Sequence, residues 1–141
     1  MAVPEPKPGL IIRYDYLWLW EATAGRDQGK DRPAGVVAAS DSSTRPRFVV
    51  ILPITRSPPA GDTVGVEIPP KVRRALGLDE EPSWVIVSEH NVDEWPNAGL
   101  EPLPGRPGTF AYGFVPPRLF ARIKRGFLDL ARQNRGAGVR R

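Results

Sequence analysis

Five consecutive apolar residues, Phe48-Val49-Val50-Ile51-Leu52, constrain this fold more than any other stretch of the chain. The run is short and β-branched, the pattern of a central strand covered on both faces. Such a strand needs partners along its edges and a packed layer above and below. Pro53 follows it, and the missing N–H is expected to end the ladder just before Ile54 and Thr55.

Other stretches supply those partners. Residues 10–20 alternate: Tyr14, Tyr16, Trp18 and Trp20 fall on one face of a predicted strand, Asp15, Leu17 and Leu19 on the other. Four aromatics in register suit a core or a subunit interface, and equally the stacking of unpaired bases. Residues 34–39 read as a short buried strand and 64–68 as another. Residues 83–90 make a third, with Trp84, Ile86 and Ser88 opposite Val85, Val87 and Glu89.

Two helices are legible. Pro69-Pro70 opens a short one, with Val72, Ala75 and Leu76 inward and Lys71, Arg73 and Arg74 outward. Gly77 fits the left-handed position after it, where Leu78 can close back on Val72. Pro116-Pro117 opens a longer amphipathic helix, with Leu119, Phe120, Ile123, Phe127 and Leu130 on one stripe. Gly126 inside it costs about 1 kcal/mol relative to alanine, which points to close packing there.

Proline and glycine mark the connections. Residues 25–33 form a charged loop holding Arg26, Asp27, Lys30, Asp31 and Arg32; residues 41–46 carry turn chemistry; residues 56–62 form a second long loop. Residues 91–109 are predicted to be irregular. Pro4, Pro6 and Pro8 make residues 1–9 an extended, poorly ordered arm, and residues 134–141 read as a disordered basic tail. The domain between them, residues 10–133, is predicted to be mainly β with α: a small antiparallel barrel with a short helix and a C-terminal amphipathic helix.

The 141 residues suit one domain. With no cysteine there is no disulfide framework or thiolate metal site, and with His90 alone there is no histidine cluster. No apolar run approaches the roughly 18 residues of a membrane span, and the N-terminus lacks signal-peptide features, so a cytoplasmic protein is expected. The net charge of +4 is uneven: eight basic residues and one acid from Arg118 onwards give +7, while twelve and fifteen before it give −3. That basic end suits an acidic partner such as nucleic acid, or is simply a solvated helix face.

The chain has no P-loop, Gly-x-Gly-x-x-Gly, nucleophile elbow or metal-ligand spacing. What remains is Arg, Thr, Ser, Asp and Glu, which act through charge stabilisation and proton transfer. Phosphodiester cleavage in RNA suits that set, because the 2′-OH supplies the nucleophile and an arginine can neutralise charge on the phosphate.

Lys30-Asp31-Arg32-Pro33-Ala34-Gly35-Val36-Val37, followed by Val50-Ile51-Leu52-Pro53-Ile54-Thr55, resembles the MazF/PemK family of toxin ribonucleases. The similarity continues in order through Leu76-Gly77-Leu78-Asp79, Ser83-Trp84-Val85-Ile86-Val87-Ser88-Glu89 and Ala111-Tyr112-Gly113. The resemblance implies an SH3-like antiparallel β-barrel, a homodimer, and cleavage of single-stranded RNA without metal or other cofactor. Its products would carry a 2′,3′-cyclic phosphate and a 5′-OH, and a cognate antitoxin would neutralise it. The family's catalytic arginine maps onto Arg32 and its threonine onto Thr55, with the loop acid or polar position on Asp27 or Gln28. Lys30 and Ser57 flank these as expected substrate contacts. Glu89, His90 and Asn91 stand where many members carry a basic residue; they are further expected contacts, His90 either as a proton-transfer group or as a structural one. The alternative is a non-catalytic barrel of the same type that binds RNA, a DNA-bound antitoxin or another protein.

Overall fold

β3 (Arg47–Thr55) stands at the centre of the computed structural model, which describes residues 3–141. Around it lie β1 (Leu10–Tyr16), α1 (Leu19–Thr23), β2 (Lys30–Ala39), β4 (Gly65–Glu67), α2 (Pro70–Leu76), β5 (Trp84–Ile86), β6 (Glu89–Trp95), β7 (Ala111–Phe114), α3 (Pro117–Arg132) and β8 (Ala137–Arg140). One edge of β3 pairs with β2, from Ala39↔Val49 to Ala34↔Pro53. Its other edge is shared: β6 takes Arg47 to Ile51, and β5 takes Ile54 and Thr55. The path runs β4-β5-β3-β2-β1-β7, all antiparallel, and β8 adds to β6 in parallel. Among the described residues no pairing joins β4 to β7, so the sheet is open rather than closed by hydrogen bonds.

Both faces of β3 are covered, as its apolar run requires. Leu52 and Ile54 pack with Ile11, Val85 and Val87 beneath Leu119, Ile123 and Leu130 of α3. Val49 and Ile51 pack on the other side with Ile12, Tyr14, Tyr16 and Trp95. The predicted helices are present. Gly77 has φ 69°, and the amides of Gly77 and Leu78 donate to the carbonyls of Arg74 and Arg73, closing α2. A Cβ on Gly126 would stand 3.3 Å from Val87 Cγ2, so that glycine does mark close packing. No helix among the described residues is long and apolar enough to cross a membrane.

Several expectations are corrected. Pro53 does not end β3: it falls between the last β6 pair, Ile51↔Asn91, and the first β5 pair, Ile54↔Val85, so neither ladder on that edge loses a donor. The strand over residues 10–20 stops at Tyr16, because the Asn91 side chain takes both the N–H and the carbonyl of Leu17. Tyr14 and Tyr16 are buried, but Trp18 precedes α1 and Trp20 on it is 59% exposed. Residues 30–33 belong to β2 rather than to the loop before it.

The strand over 83–90 divides into β5 and β6, which serve different halves of β3. β6 therefore continues through the first five residues of the stretch predicted irregular. Arg73 points inward, where its guanidinium caps the Ile68 and Glu80 carbonyls. The tail is not free chain either: residues 137–140 form β8, Val139 is buried, and the open edge of β6 supplies the partner. The arm is tied as well, through Gly9 to the Val36 carbonyl, Trp95 Nε1 to the Pro4 carbonyl and Arg47 to Glu5. Its first two residues lie outside those described.

Candidate nucleic-acid cleft

Two adjacent strands end side by side. The β2–β3 ladder ends at Ala34↔Pro53, two residues from Arg32 on one strand and from Thr55 on the other. Both residues line a cleft of about 570 Å³ between the ends of β2 and β3, the C-terminus of α2 and residues 103–106. Arg13, Lys30, Arg56 and Arg106 line it too, against Asp31, Asp79 and Glu81. Arg56 is engaged with Asp79 at 2.9 Å, an exposed pair worth little in stability. Arg13 donates to Tyr112 Oη at 3.2 Å and to the Asp31 carbonyl at 3.3 Å, and has no carboxylate partner among the described residues.

Arg32 is half-buried and makes no side-chain hydrogen bond or ion pair among the described residues. Its guanidinium carbon lies 5.3 Å from the centre of the Trp18 ring, and its Nε is buried without a hydrogen-bond partner. Burial lowers its pKa from the ordinary arginine value, and the charge of Glu21 works against that shift. A guanidinium stays protonated even so. The result is a partly desolvated cation whose donors are unspent, stacked on an aromatic ring that limits its motion. Thr55 Oγ1 accepts from the Ser57 amide at 3.1 Å, which orients the hydroxyl and leaves its proton free to donate.

Trp18, whose ring lies under Arg32, and Glu21, whose charge acts on it, were not singled out in the sequence as a pair. Glu21 is buried, accepts from the Trp18 amide at 3.0 Å and pairs with Arg26 at 3.3 Å. The available signal was a glutamate three residues after the point where the chain turns into a helix. Alternation along residues 10–20 masked it.

The other candidates separate. Lys30 lines the cleft, whereas Asp27, Gln28 and Ser57 are exposed on segments beside it and are not part of its wall. Glu89 is half-buried, with Oε1 accepting from Tyr16 Oη at 3.1 Å and from the Leu19 amide at 3.0 Å. Asn91 is fully buried and spends its amide on Leu17. His90 points to the opposite side of β6, its ring 5.3 Å from Phe127 of α3, and does not line the cleft. That placement sets His90 against α3, with its Nδ1 buried and without a hydrogen-bond partner among the described residues.

Burial lowers the His90 pKa from its ordinary 6.5. The unfolded chain therefore takes up this proton first as pH falls through 6.5, and stability declines until the folded imidazole also protonates. Glu89, raised by burial, has the opposite sign: its contribution is present at low pH and is lost as pH rises through its folded value. Comparing wild type with His90→Gln isolates the imidazole. The variant is expected to lose less stability between roughly pH 7 and pH 5 in urea titrations. Coincident pH profiles would mean that His90 is hydrated in the folded state.

The cleft thus gathers unpaired cations, an oriented hydroxyl and apolar walls from Leu76, Leu78 and Leu103. Such a set can hold a phosphate and a neighbouring base. Compared with known proteins, the chain matches no family model, no curated protein and no solved structure.

Proposed function

We propose that this chain is a MazF/PemK-like endoribonuclease toxin whose open sheet is a variant of that family's SH3-like barrel. It cuts single-stranded mRNA in the cytoplasm, works as a homodimer and is silenced by a cognate antitoxin. The observation that carries the reading is the meeting of Arg32 and Thr55 in one cleft, with Arg32 in no ion pair among the described residues.

In the proposed step the 2′-oxygen bonds to phosphorus and the bond from phosphorus to the 5′-oxygen breaks. The 2′-OH gives up a proton and the departing 5′-oxygen takes one, so no water and no redox partner are consumed. Arg32 meets the charge growing on the non-bridging oxygens with paired N–H donors, and the Thr55 hydroxyl donates to the same phosphate. Lys30 and Arg13 hold neighbouring phosphates.

One observation favours a second reading. His90 stands outside the cleft, so no imidazole is available there for proton transfer. In that case the cations bind RNA, or an acidic protein segment, without cutting.

Incubation of the purified protein with a long single-stranded RNA in EDTA separates the two. Discrete fragments ending in 2′,3′-cyclic phosphate and beginning with 5′-OH are expected. RNA that is retarded on a gel but stays intact across varied sequences points to the binding module.

A further inference from the structure

The C-terminal strand ends in an unusually engaged cation. The Arg141 side chain is only 13% exposed, and its amide donates to the Val92 carbonyl at 2.8 Å. Nη1 donates to Tyr14 Oη at 3.2 Å, to Asn91 Oδ1 at 3.1 Å and to the Asp15 carbonyl. Nη2 donates to the Asp27 carbonyl at 3.2 Å and lies 3.8 Å from the Asp15 carboxylate. No other arginine among the described residues makes as many hydrogen bonds. A stacked or forked guanidinium can bridge several acceptors at once in a way that an ammonium cannot.

Anchored on β1 and β6, the guanidinium reaches the segment between α1 and β2 through the Asp27 carbonyl. The Arg26 amide is held by the Glu21 carbonyl, and the Gly29 amide donates to Asp15 Oδ1 at 2.6 Å. Between these two ties, the Arg141–Asp27 bond is the hydrogen bond that secures the chain. Gly29 has no room to adjust: a Cβ there would lie 2.0 Å from the Tyr16 carbonyl oxygen. Lys30 starts β2 immediately afterwards, and Arg32 follows two residues on. Residues 137–140 are brought to this place by pairing with β6, from Glu89↔Ala137 to Val92↔Arg140.

We propose that Arg141 is a positioning residue for RNA binding: by bridging β1, β6 and the Asp27 carbonyl, it holds residues 27–30 in the arrangement that presents Lys30 to the cleft. The inference rests on the ribonuclease reading and adds a role for the C-terminal strand that the site itself does not require. It acts at a distance from the reacting phosphate, so it governs substrate affinity rather than the chemical step.

The test compares Arg141→Ala and Arg141→Lys with wild type in the full chain, by amide hydrogen exchange and by steady-state RNA cleavage. In Arg141→Ala the Gly29 amide, which donates to Asp15 Oδ1, is expected to exchange at least about tenfold faster, with core amides such as Ile12 and Ile51 unchanged. KM for RNA rises about tenfold, the equivalent of one charge-assisted hydrogen bond, while kcat stays within about twofold. Arg141→Lys falls between the two, because it keeps the charge beside Asp15 but loses the fork.

Unchanged exchange at Gly29 overturns the proposal, as does faster exchange with an unchanged KM. Exchange that quickens everywhere, core included, assigns Arg141 to general stability and overturns it too. A wild-type protein that neither binds nor cuts RNA brings down the ribonuclease reading and this role with it. A failure confined to the variants leaves that reading standing and removes only the role of Arg141.

Discussion

Arg32→Ala is expected to lower RNA cleavage by about a hundred- to a thousandfold while leaving the protein folded. Among the described residues the Arg32 side chain makes no hydrogen bond or ion pair, so its removal costs the fold little. The loss is its contact with Trp18, about 0.5–1 kcal/mol, offset by release of a partly desolvated charge. Arg32→Lys keeps the charge but not the paired donors, and should recover only part of the rate. The measurement is single-turnover cleavage of a defined RNA beside a thermal melt. An Arg32→Ala protein that cuts at the wild-type rate would place the chemistry elsewhere. A low rate with a collapsed melt would make the arginine structural.

Asn91→Ala is expected to show the opposite pattern, a large loss of stability. Asn91 is fully buried, accepts from the Leu17 amide at 3.0 Å and donates to the Leu17 carbonyl at 2.7 Å. Truncation leaves both backbone groups unpaired beside the buried Leu17 side chain. Each such group costs about 1–3 kcal/mol, so a combined loss of about 3 kcal/mol is expected. For a chain of this size that lowers Tm by roughly 10 °C. Urea unfolding measures it directly, and a loss below about 0.5 kcal/mol would mean that the chain turns at Leu17 without help from Asn91. The residue was an expected substrate contact, and this outcome would separate the two roles.

These two residues show where a linear reading holds and where it stops. Arg32 and Thr55 were proposed from a family resemblance carried by short local motifs, an arginine followed by proline and a threonine at the end of an apolar strand. Adjacent strands in antiparallel register then bring their ends together at one edge of the sheet. Asn91 was misread because its partner is 74 positions away, and nothing near it in sequence says that it replaces a strand ladder at Leu17. The same distance hid the end of β1. The aromatic alternation runs on to Trp20, but the backbone leaves the sheet once Asn91 has taken its hydrogen bonds.

By itself the sequence determined what depends on near neighbours. A short β-branched run makes β3 a strand buried on both faces, proline opens α2 and α3, Gly77 closes α2, and the apolar stripe of α3 chooses its inward side. Only the tertiary structure decided which face of β6 looks toward which layer, and so put Glu89 and Asn91 beside Tyr16 and Leu17 but His90 under α3. It also decided that a Gly/Arg tail becomes β8, because the edge of β6 offers it hydrogen bonds and Val139 is buried there. Local pattern specifies which way a residue can face. Pairing across the sheet specifies what it meets there.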